Sequence, residues 1–403
     1  MESCRRRGAH ASMLRGTVDA DFDALLATLR EGQKGSPPTP DAAIIAGAFR
    51  RSLEVVPSKL LYDTSTRAVT LQTTTLFCDL RISAARPVLG VSSFEELPIA
   101  TLAALVRTTH CFAGYSAIDT ATTLDETKIR GKTCSRLHAV DWQPMPRLRA
   151  NRWRIQPQFD EGGWGLEWSG RLDENGQSEY IEYWRTLGSS RDGPFLALRR
   201  RATAERPTAY FLVSGDHWAY IADRPAEHTL PVVTPGEAGH PADRGRVEPL
   251  VAAAEAAGDR QALLGMLSME CHYGRVKSSG ERVPECAEAS LLGPPASRNM
   301  PGWWWIVLST MPWREGTHFD HPLFHAEADE EHDRWEIFDQ RDLVAAGSQP
   351  PPNVYSAILA VVNSRNSDDD ELHIGGSSAS FACPSDIVAA LDVAAGKRRR
   401  GSK

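Results

Sequence analysis

The chain has 403 residues, 41% hydrophobic and 24% charged, with a formal net charge of −7. At roughly 150 residues per domain this length suggests two to three domains, and the composition is that of an ordinary globular protein rather than of collagen or a disordered chain. No run of about 18 apolar residues occurs, so no transmembrane helix is expected.

Both ends are basic. Arg5, Arg6, Arg7 and Arg15 stand against Glu2 at the start, and Lys397-Arg398-Arg399-Arg400 with Lys403 closes the chain, which leaves the body between them more acidic than the whole. Such a body repels a phosphate backbone, so nucleic-acid binding by the folded part is not expected. The terminal runs read as solvated ends in preference to a polyanion or nuclear-localisation patch. No apolar stretch follows the first arginines, so a secretory signal is not expected; the expected location is cytoplasmic, although an Arg-rich start also suits an organelle transit peptide. Cys4, Cys78, Cys111, Cys134, Cys271, Cys286 and Cys383 are scattered without a CxxC pair. That spacing fits neither a disulfide scaffold nor a zinc ribbon.

Along the chain, residues 17–33 place Phe22, Leu25, Leu26 and Leu29 at helical spacing, with Asp19 and Asp21 near the start and Arg30 near the end, as the helix dipole favours. Residues 35–40 (GSPPTP) read as a linker, and a second helix is expected over roughly 41–52. Together they form an N-terminal unit, 1–57. From 58 to 224 the texture turns to strands, which predicts a β-barrel main body. Strand runs are expected within 69–82 and over 136–143, 151–159, 164–169, 178–187, 194–201 and 208–222, with hairpin turns at 173–176 and 214–216. One helix is expected inside this series, at 95–107. Residues 225–403 read as a loop (225–246), a helical stretch (247–269) bent near Gly258, a polar loop (277–301) and a second strand set (302–310, 334–339) that completes or extends the barrel. Residues 354–362 suit strand or helix, 366–371 an acidic turn, and 384–395 a last helix before the basic tail. No repeat of 20–50 residues is present, which excludes solenoids and propellers.

The standard chemical signatures are absent from the sequence: GxGxxG after a strand, GxxxxGK[ST], GxSxG, HExxH and an EF-hand loop. No cofactor is expected. The densest set of possible ligands is His318, Asp320, His321, His325 and His332, but Pro322 breaks any helix that would align His321 with His325, and the spacing matches no ligand pattern. A solvated acidic loop without metal is the expected state. Cys271-His272 and His110-Cys111 are neighbours whose side chains diverge, so buried structural thiols are expected in place of nucleophilic dyads.

Charged residues alternating with apolar ones inside strand-like runs are more informative. Leu76, Cys78, Leu80 and Ile82 share one face of their strand, and Asp79 and Arg81 share the other. Tyr180, Glu182 and Trp184 share a face, while His138 and Asp141 fall on opposite faces. Arg81 and Glu182 have two readings: outward residues of a half-exposed sheet, or polar handles inside a barrel. In the second reading they must sit within ion-pair reach of each other or of another opposite charge, because buried charges persist only when paired.

Leu71-Gln72-Thr73 with Leu76-Phe77-Cys78-Asp79-Leu80-Arg81-Ile82 resembles a segment of an uncharacterised family of calycin-like (lipocalin-type) β-barrel proteins from bacteria and fungi. Asp141-Trp142-Gln143-Pro144, Tyr180-Ile181-Glu182-Tyr183-Trp184 and Ser309-Thr310-Met311-Pro312-Trp313-Arg314-Glu315-Gly316 are similar to it in the same order. The resemblance spans roughly 60–340 and implies a fold, without a catalytic signature. The fold class expected is mainly β with helical additions (α+β), a calycin-like antiparallel barrel with helical appendages. The function expected first is binding of a small apolar or amphipathic molecule inside the barrel, with ligand contacts among Gln72, Asp79, Arg81, His138, Tyr180, Glu182, Trp184 and Arg314. A filled barrel acting as an interaction scaffold with a protein partner ranks second. Third is a cofactor-independent isomerase, lyase or hydrolase, in which Glu182 or His138 would move the proton and Arg81 or Arg314 would steady an anion.

Overall fold

Strands in this chain form where inward and outward faces are both in demand, and the sheet they build closes on itself. The computed structural model describes residues 45–119, 133–144, 150–160, 163–169, 180–188, 190, 195–230, 247–277, 303–324, 330, 334–341, 354, 357 and 358. The first sheet comprises β1 (Gly47–Val56), β2 (Leu61–Asp63), β3 (Arg67–Gln72), β4 (Leu76–Ile82), β5 (Thr109–Asp119), β6 (Thr133–Asp141), β7 (Ala150–Asp160), β8 (Gly163–Ser169) and β9 (Ile181–Thr186). Each of β3 to β9 pairs antiparallel with the next, and β1 pairs with both β3 and β9. Eight strands thereby form a ring that has no free edge within it. β2 adds a short spur to the end of β1.

A second antiparallel sheet has the order β14-β13-β12-β11-β10-β15. Its strands are β10 (Phe195–Arg200), β11 (Ala209–Ser214), β12 (His217–Ala222), β13 (Glu270–Lys277), β14 (Trp303–Ser309) and β15 (Trp335–Arg341). The turn expected at 214–216 joins β11 to β12: Ser214 faces His217, and Gly215 takes the positive φ of 54° that a tight hairpin requires. Three helices accompany the sheets: α1 (Ile99–Thr108), α2 (Glu248–Ala257) and α3 (Arg260–Leu267). The bend expected near Gly258 is the break between α2 and α3. Gly258 ends α2 at φ 65° with its N–H donating to the Ala254 and Glu255 carbonyls, and the Asp259 carboxylate caps α3 by accepting from the Ala262 N–H.

The largest apolar core lies outside the barrel. Leu76, Cys78, Leu80 and Ile82 form the expected single buried face of β4, and that face turns away from the barrel interior. It packs with Leu212, Ala219, Ile221 and Cys271 of the second sheet and with Leu102, Leu105, Val106 and Leu263 of the helices. The opposite face of the second sheet buries Phe211, Trp218, Trp304 and Trp335, covered by Phe319, Leu323 and Phe324 and by Val354, Ala357 and Ile358. The architecture is therefore layered: barrel, shared core, second sheet, cover.

Two expectations are corrected. Residues 47–56 are strand, not the second half of a helix, because pairing to β3 and β9 overrides the local helix preference of an alanine-rich stretch. Consequently the boundary expected at 57/58 falls between β1 and its spur, and β1 belongs to the ring. Strands β5 and β13 also went unforeseen: both their faces are buried, so neither carries a clean alternation. The helix at 95–107 is found as α1. Residues 354, 357 and 358 are helical. The expected elements at 17–33, 35–40, 173–176, 366–371 and 384–395 lie outside the described residues, as does most of the 277–301 loop. Among the described residues no helix is long and apolar enough to cross a membrane.

Replacing Leu80 by Asp puts an unpaired charge into the shared core and should lower stability by more than about 4 kcal/mol, read as a collapse of the thermal midpoint. A midpoint within a degree or two of the parent would contradict the layered arrangement. Thiol labelling gives a second test. Seven cysteines are present, and Cys78, Cys111, Cys134 and Cys271 are buried and reduced. Burial pushes the Cys111, Cys134 and Cys271 thiols up, Cys134 to about 11. No more than three thiols should react with a disulfide reagent in the native state, and all seven after unfolding.

Candidate functional site

Pairing fixes which side chains point into the barrel. Directly opposed residues of antiparallel strands share a face, so Gln72, Thr70 and Ala68 of β3 face the same way as Phe77, Asp79 and Arg81 of β4. Following the ladders around the ring adds Phe112 and Ser116 from β5, Cys134, Arg136 and His138 from β6, Ile155 from β7, Leu166 from β8, Glu182 and Trp184 from β9, and Phe49 and Arg51 from β1. Strict alternation fails at two places. A bulge between Arg51 and Leu53 turns Glu54 to the same side as Arg51. A second bulge, at Ala113/Gly114 in the β5–β6 ladder, brings His138 and Asp141 together, so their expected placement on opposite faces is corrected. Gly114 is needed at that bulge: a Cβ there would stand 1.9 Å from the Leu137 carbonyl oxygen.

One end of the interior is charged. The Arg81 Nη1 donates to Glu182 Oε1 at 2.6 Å, and its Nε donates to Asp79 Oδ1 at 2.7 Å. Arg51 donates to Glu182 at 2.9 Å, to Asp63 at 2.8 Å and to Glu54. Arg136 donates to the Gln72 side-chain carbonyl at 2.6 Å, reaches Asp79 at 3.7 Å and lies over the Phe77 ring. Asp79 is 0% exposed, whereas the Arg81 side chain is 12% exposed and lies nearest the mouth. Arg81 and Glu182 thus point inward and pair, the second of the two readings of these residues. Burial alone would lower the Arg81 guanidinium, but Asp79 and Glu182 outweigh it and hold its pKa well above the usual value. At Arg136 burial dominates and lowers the pKa. At Asp63 burial acts to raise the carboxyl, and hydrogen bonds from Thr66 and Ser65 overcome it and hold the group well below the usual range.

An apolar lining adjoins the charges. Ile45, Phe49, Ala68, Cys134, Ile155, Leu166 and Trp184 form one buried cluster, with Tyr180 partly buried against it, and the Arg81 guanidinium lies 5.5 Å from the Trp184 ring. His138 stacks on Phe112 at 4.6 Å and accepts or donates a 2.8 Å hydrogen bond with Asp141. Four inward polar atoms make no hydrogen bond of ordinary geometry: Gln72 Nε2, Ser116 Oγ, Trp184 Nε1 and the Nε of Arg136, whose Nη groups are engaged. The amide orientation of Gln72 follows from Arg136, which takes its carbonyl oxygen and leaves the NH2 group facing the interior. Gln72 and Ser116 both adjoin the Cys134 thiol, a weak partner. A buried donor left dry costs about 1–3 kcal/mol.

Seven of the eight residues expected at the site are therefore in or against one interior: Gln72, Asp79, Arg81, His138, Tyr180, Glu182 and Trp184. Arg314 is not. It sits on a short 3-10 turn (Pro312–Arg314) beside the second sheet, where its charge acts on Glu270 and His318. Sequence reasoning missed Arg51, which a helix assignment concealed, and Glu54, Arg136, Ser116 and Cys134. The spacing of Arg136 and His138, two apart on one strand, carried a signal for the former.

A second polar cluster lies in the second sheet. His272 is buried between Glu270 at 2.6 Å and Ser309 at 2.8 Å. The order is that of an acid–histidine–serine relay, but Ser309 Oγ also accepts from the Met311 N–H and is fully buried, which suits a turn-fixing hydroxyl and not a nucleophile. Cys271, its neighbour, faces the shared core 4.0 Å from Cys78. His321 of the histidine-rich loop packs against Tyr220, Phe319 and Trp335, while His325 and His332 lie outside the described residues. Among the described residues no group of three or more His, Cys, Asp or Glu has a metal-binding arrangement.

No family model matches the chain, and no curated protein does. Among solved structures, an uncharacterised protein of Saccharomyces cerevisiae, YLR301w, aligns with a TM-score of 0.32 and 12% identity over 65% of this chain and 98% of that one.

The interior network generates a stability contrast. Glu182→Leu removes the carboxylate that Arg51 and Arg81 share inside the barrel, leaving each with its other carboxylates only, and should cost about 3–5 kcal/mol, as for other broken buried pairs. Arg67→Ala removes an ion pair to Glu315 from a side chain that is 48% exposed, and should cost about 0–1 kcal/mol. Denaturant melts of the two variants check this; equal losses would mean that the Glu182 pairs are no better shielded than the surface pair.

Proposed function

We propose that the closed barrel is a binding protein for a small amphipathic molecule, held with its apolar part against Phe49, Ile155 and Leu166 and its polar part toward Gln72, Ser116 and the Trp184 indole N–H. The observation that carries this reading is the set of inward donors on Gln72, Ser116 and Trp184 that the protein itself leaves without a normal partner. Buried polar groups are almost always satisfied, and a ligand oxygen or an ordered water would satisfy these. The mixed lining of the interior supports the reading, because small-molecule sites combine an apolar lining with a few fixed polar groups. So does the resemblance of the β3–β4 and β9 segments to calycin-like barrels. Arg81, Glu182 and Asp79 serve as the fixed rim of the site, with His138 and Tyr180 beside it.

A second reading has its own support. The inward side chains named above are nearly all buried, and their charges are paired with one another, as a filled scaffold would require. Titration with Nile red, a neutral apolar dye, separates the two. Binding predicts a saturable fluorescence rise with one dye per chain, lost in Ile155→Phe, which thickens the lining at a stability cost of about 1–3 kcal/mol and should still fold. No saturable rise, or one that Ile155→Phe leaves unchanged, assigns the barrel to the scaffold reading. Native mass spectrometry of protein purified from its own cells would show the bound molecule directly.

A further inference from the structure

The hydrogen-bond inventory of the barrel interior is one-sided. Its acceptors are occupied: Asp79 by Arg81 and Arg136, Glu182 by Arg81 and Arg51, Glu54 by Arg51, the Gln72 carbonyl by Arg136, and Asp141 by His138 and the Gln143 N–H. The groups left over are donors: the Gln72 amide NH2, the Trp184 indole N–H, the Ser116 hydroxyl and the Nε–H of Arg136, whose Nη groups are already engaged. Only the hydroxyl can also accept. The missing partner is therefore an acceptor.

Charge decides what kind of acceptor. Three guanidiniums, of Arg51, Arg81 and Arg136, face four carboxylates, of Glu54, Asp63, Asp79 and Glu182. Each guanidinium is engaged by at least one of those carboxylates. A ligand carboxylate would bring a further negative charge into a space that already carries an excess of them and would have to shed its own hydration to enter. A carbonyl or ether oxygen carries lone pairs and no charge. Cys134 adds nothing against this, since burial pushes its thiol up to about 11 and keeps it neutral.

We propose that the ligand class of this barrel is a neutral oxygen acceptor on an apolar chain, such as an ester or ketone, and not the corresponding carboxylic acid. The proposal rests on the binding reading of the barrel and adds the chemistry of the ligand's polar end. The Gln72 NH2 and the Trp184 N–H donate to the ligand oxygen, Ser116 supplements them, and the chain lies along the Phe49–Leu166 side.

The test uses the full chain with two probes of equal length, methyl decanoate and decanoate, followed by tryptophan fluorescence and native mass spectrometry. Methyl decanoate should bind one per chain and at least about tenfold more tightly than decanoate, the worth of roughly one good hydrogen bond. Trp184→Phe, which deletes the indole N–H and leaves a smaller aromatic ring in its place, should weaken methyl decanoate by several-fold to tenfold; Gln72→Leu should do the same, with circular dichroism confirming that each variant is folded. Mass spectrometry reads binding in Trp184→Phe independently of the lost indole. Tighter binding of decanoate overturns the proposal and leaves the binding reading standing. Preference for the ester without loss in either folded variant also overturns it, because the donors then serve water or the fold. Binding of neither probe removes the proposal and the binding reading together.

Discussion

Seven charged side chains share the mouth and middle of a closed barrel, and each is tolerable there only because an opposite charge stands within ion-pair reach. That requirement reaches beyond the charges. Glu182 must meet arginines from two other strands, so β1, β4 and β9 must hold one register, and the β1–β9 ladder that closes the ring sets Glu182 opposite Glu54. Arg51 then bridges both carboxylates. A one-residue slip in any of these strands would send the charges to the outer face and the outer apolar residues inward. The network is thus a specification of register as much as a source of binding energy, and buried ion pairs are better evidence for the former than for the latter.

The second sheet answers a different need. A ring of eight strands with polar contents leaves its apolar surface on the outside, and on the β3–β5 side that surface is long: Leu71, Leu76, Cys78, Leu80, Ile82, Cys111 and Tyr115. The helices and β11–β13 cover it. A barrel with a greasy interior could stand alone in water behind a polar outer face; one with a charged interior cannot be assembled from alternating strands without something to cover its other side. The Trp- and Phe-rich cover on the far face of the second sheet closes the stack.

Much of this was legible in the sequence, and the limits have physical causes. Period-two alternation in β4 identified both the buried apolar face and the face bearing Asp79 and Arg81, and the rule that buried charges pair led from there to Glu182 on β9, the strand that closes the ring against β1. Alternation could not say which face was the interior, since β4 is buried on both sides. Nor could it see bulges: His138 with Asp141, and Arg51 with Glu54, are three residues apart and meet only because an extra residue resets the parity of each strand. Local propensity misread 47–52, the end of a stretch whose Ala42, Ala43, Ala46 and Ala48 favour a helix, because long-range pairing decides otherwise. Arg314 looked like the site's other arginines in composition and differs from them in topology, a distinction that no local pattern encodes.

The pairing of Cys78 with Cys271 across the shared core spans 193 residues of sequence. At about 5–20 residues per second, a ribosome takes roughly 10–40 seconds to deliver the second partner after the first. Throughout that interval the outer wall of β4 exists without its cover, and for more than half of it the second edge of β1, whose first edge pairs with β3, waits for β9. The nascent chain therefore passes through a long vulnerable period in which its most apolar strand face is open to other chains. Its yield in a cell should depend on the holding capacity of chaperones near the ribosome as much as on the stability of the finished protein.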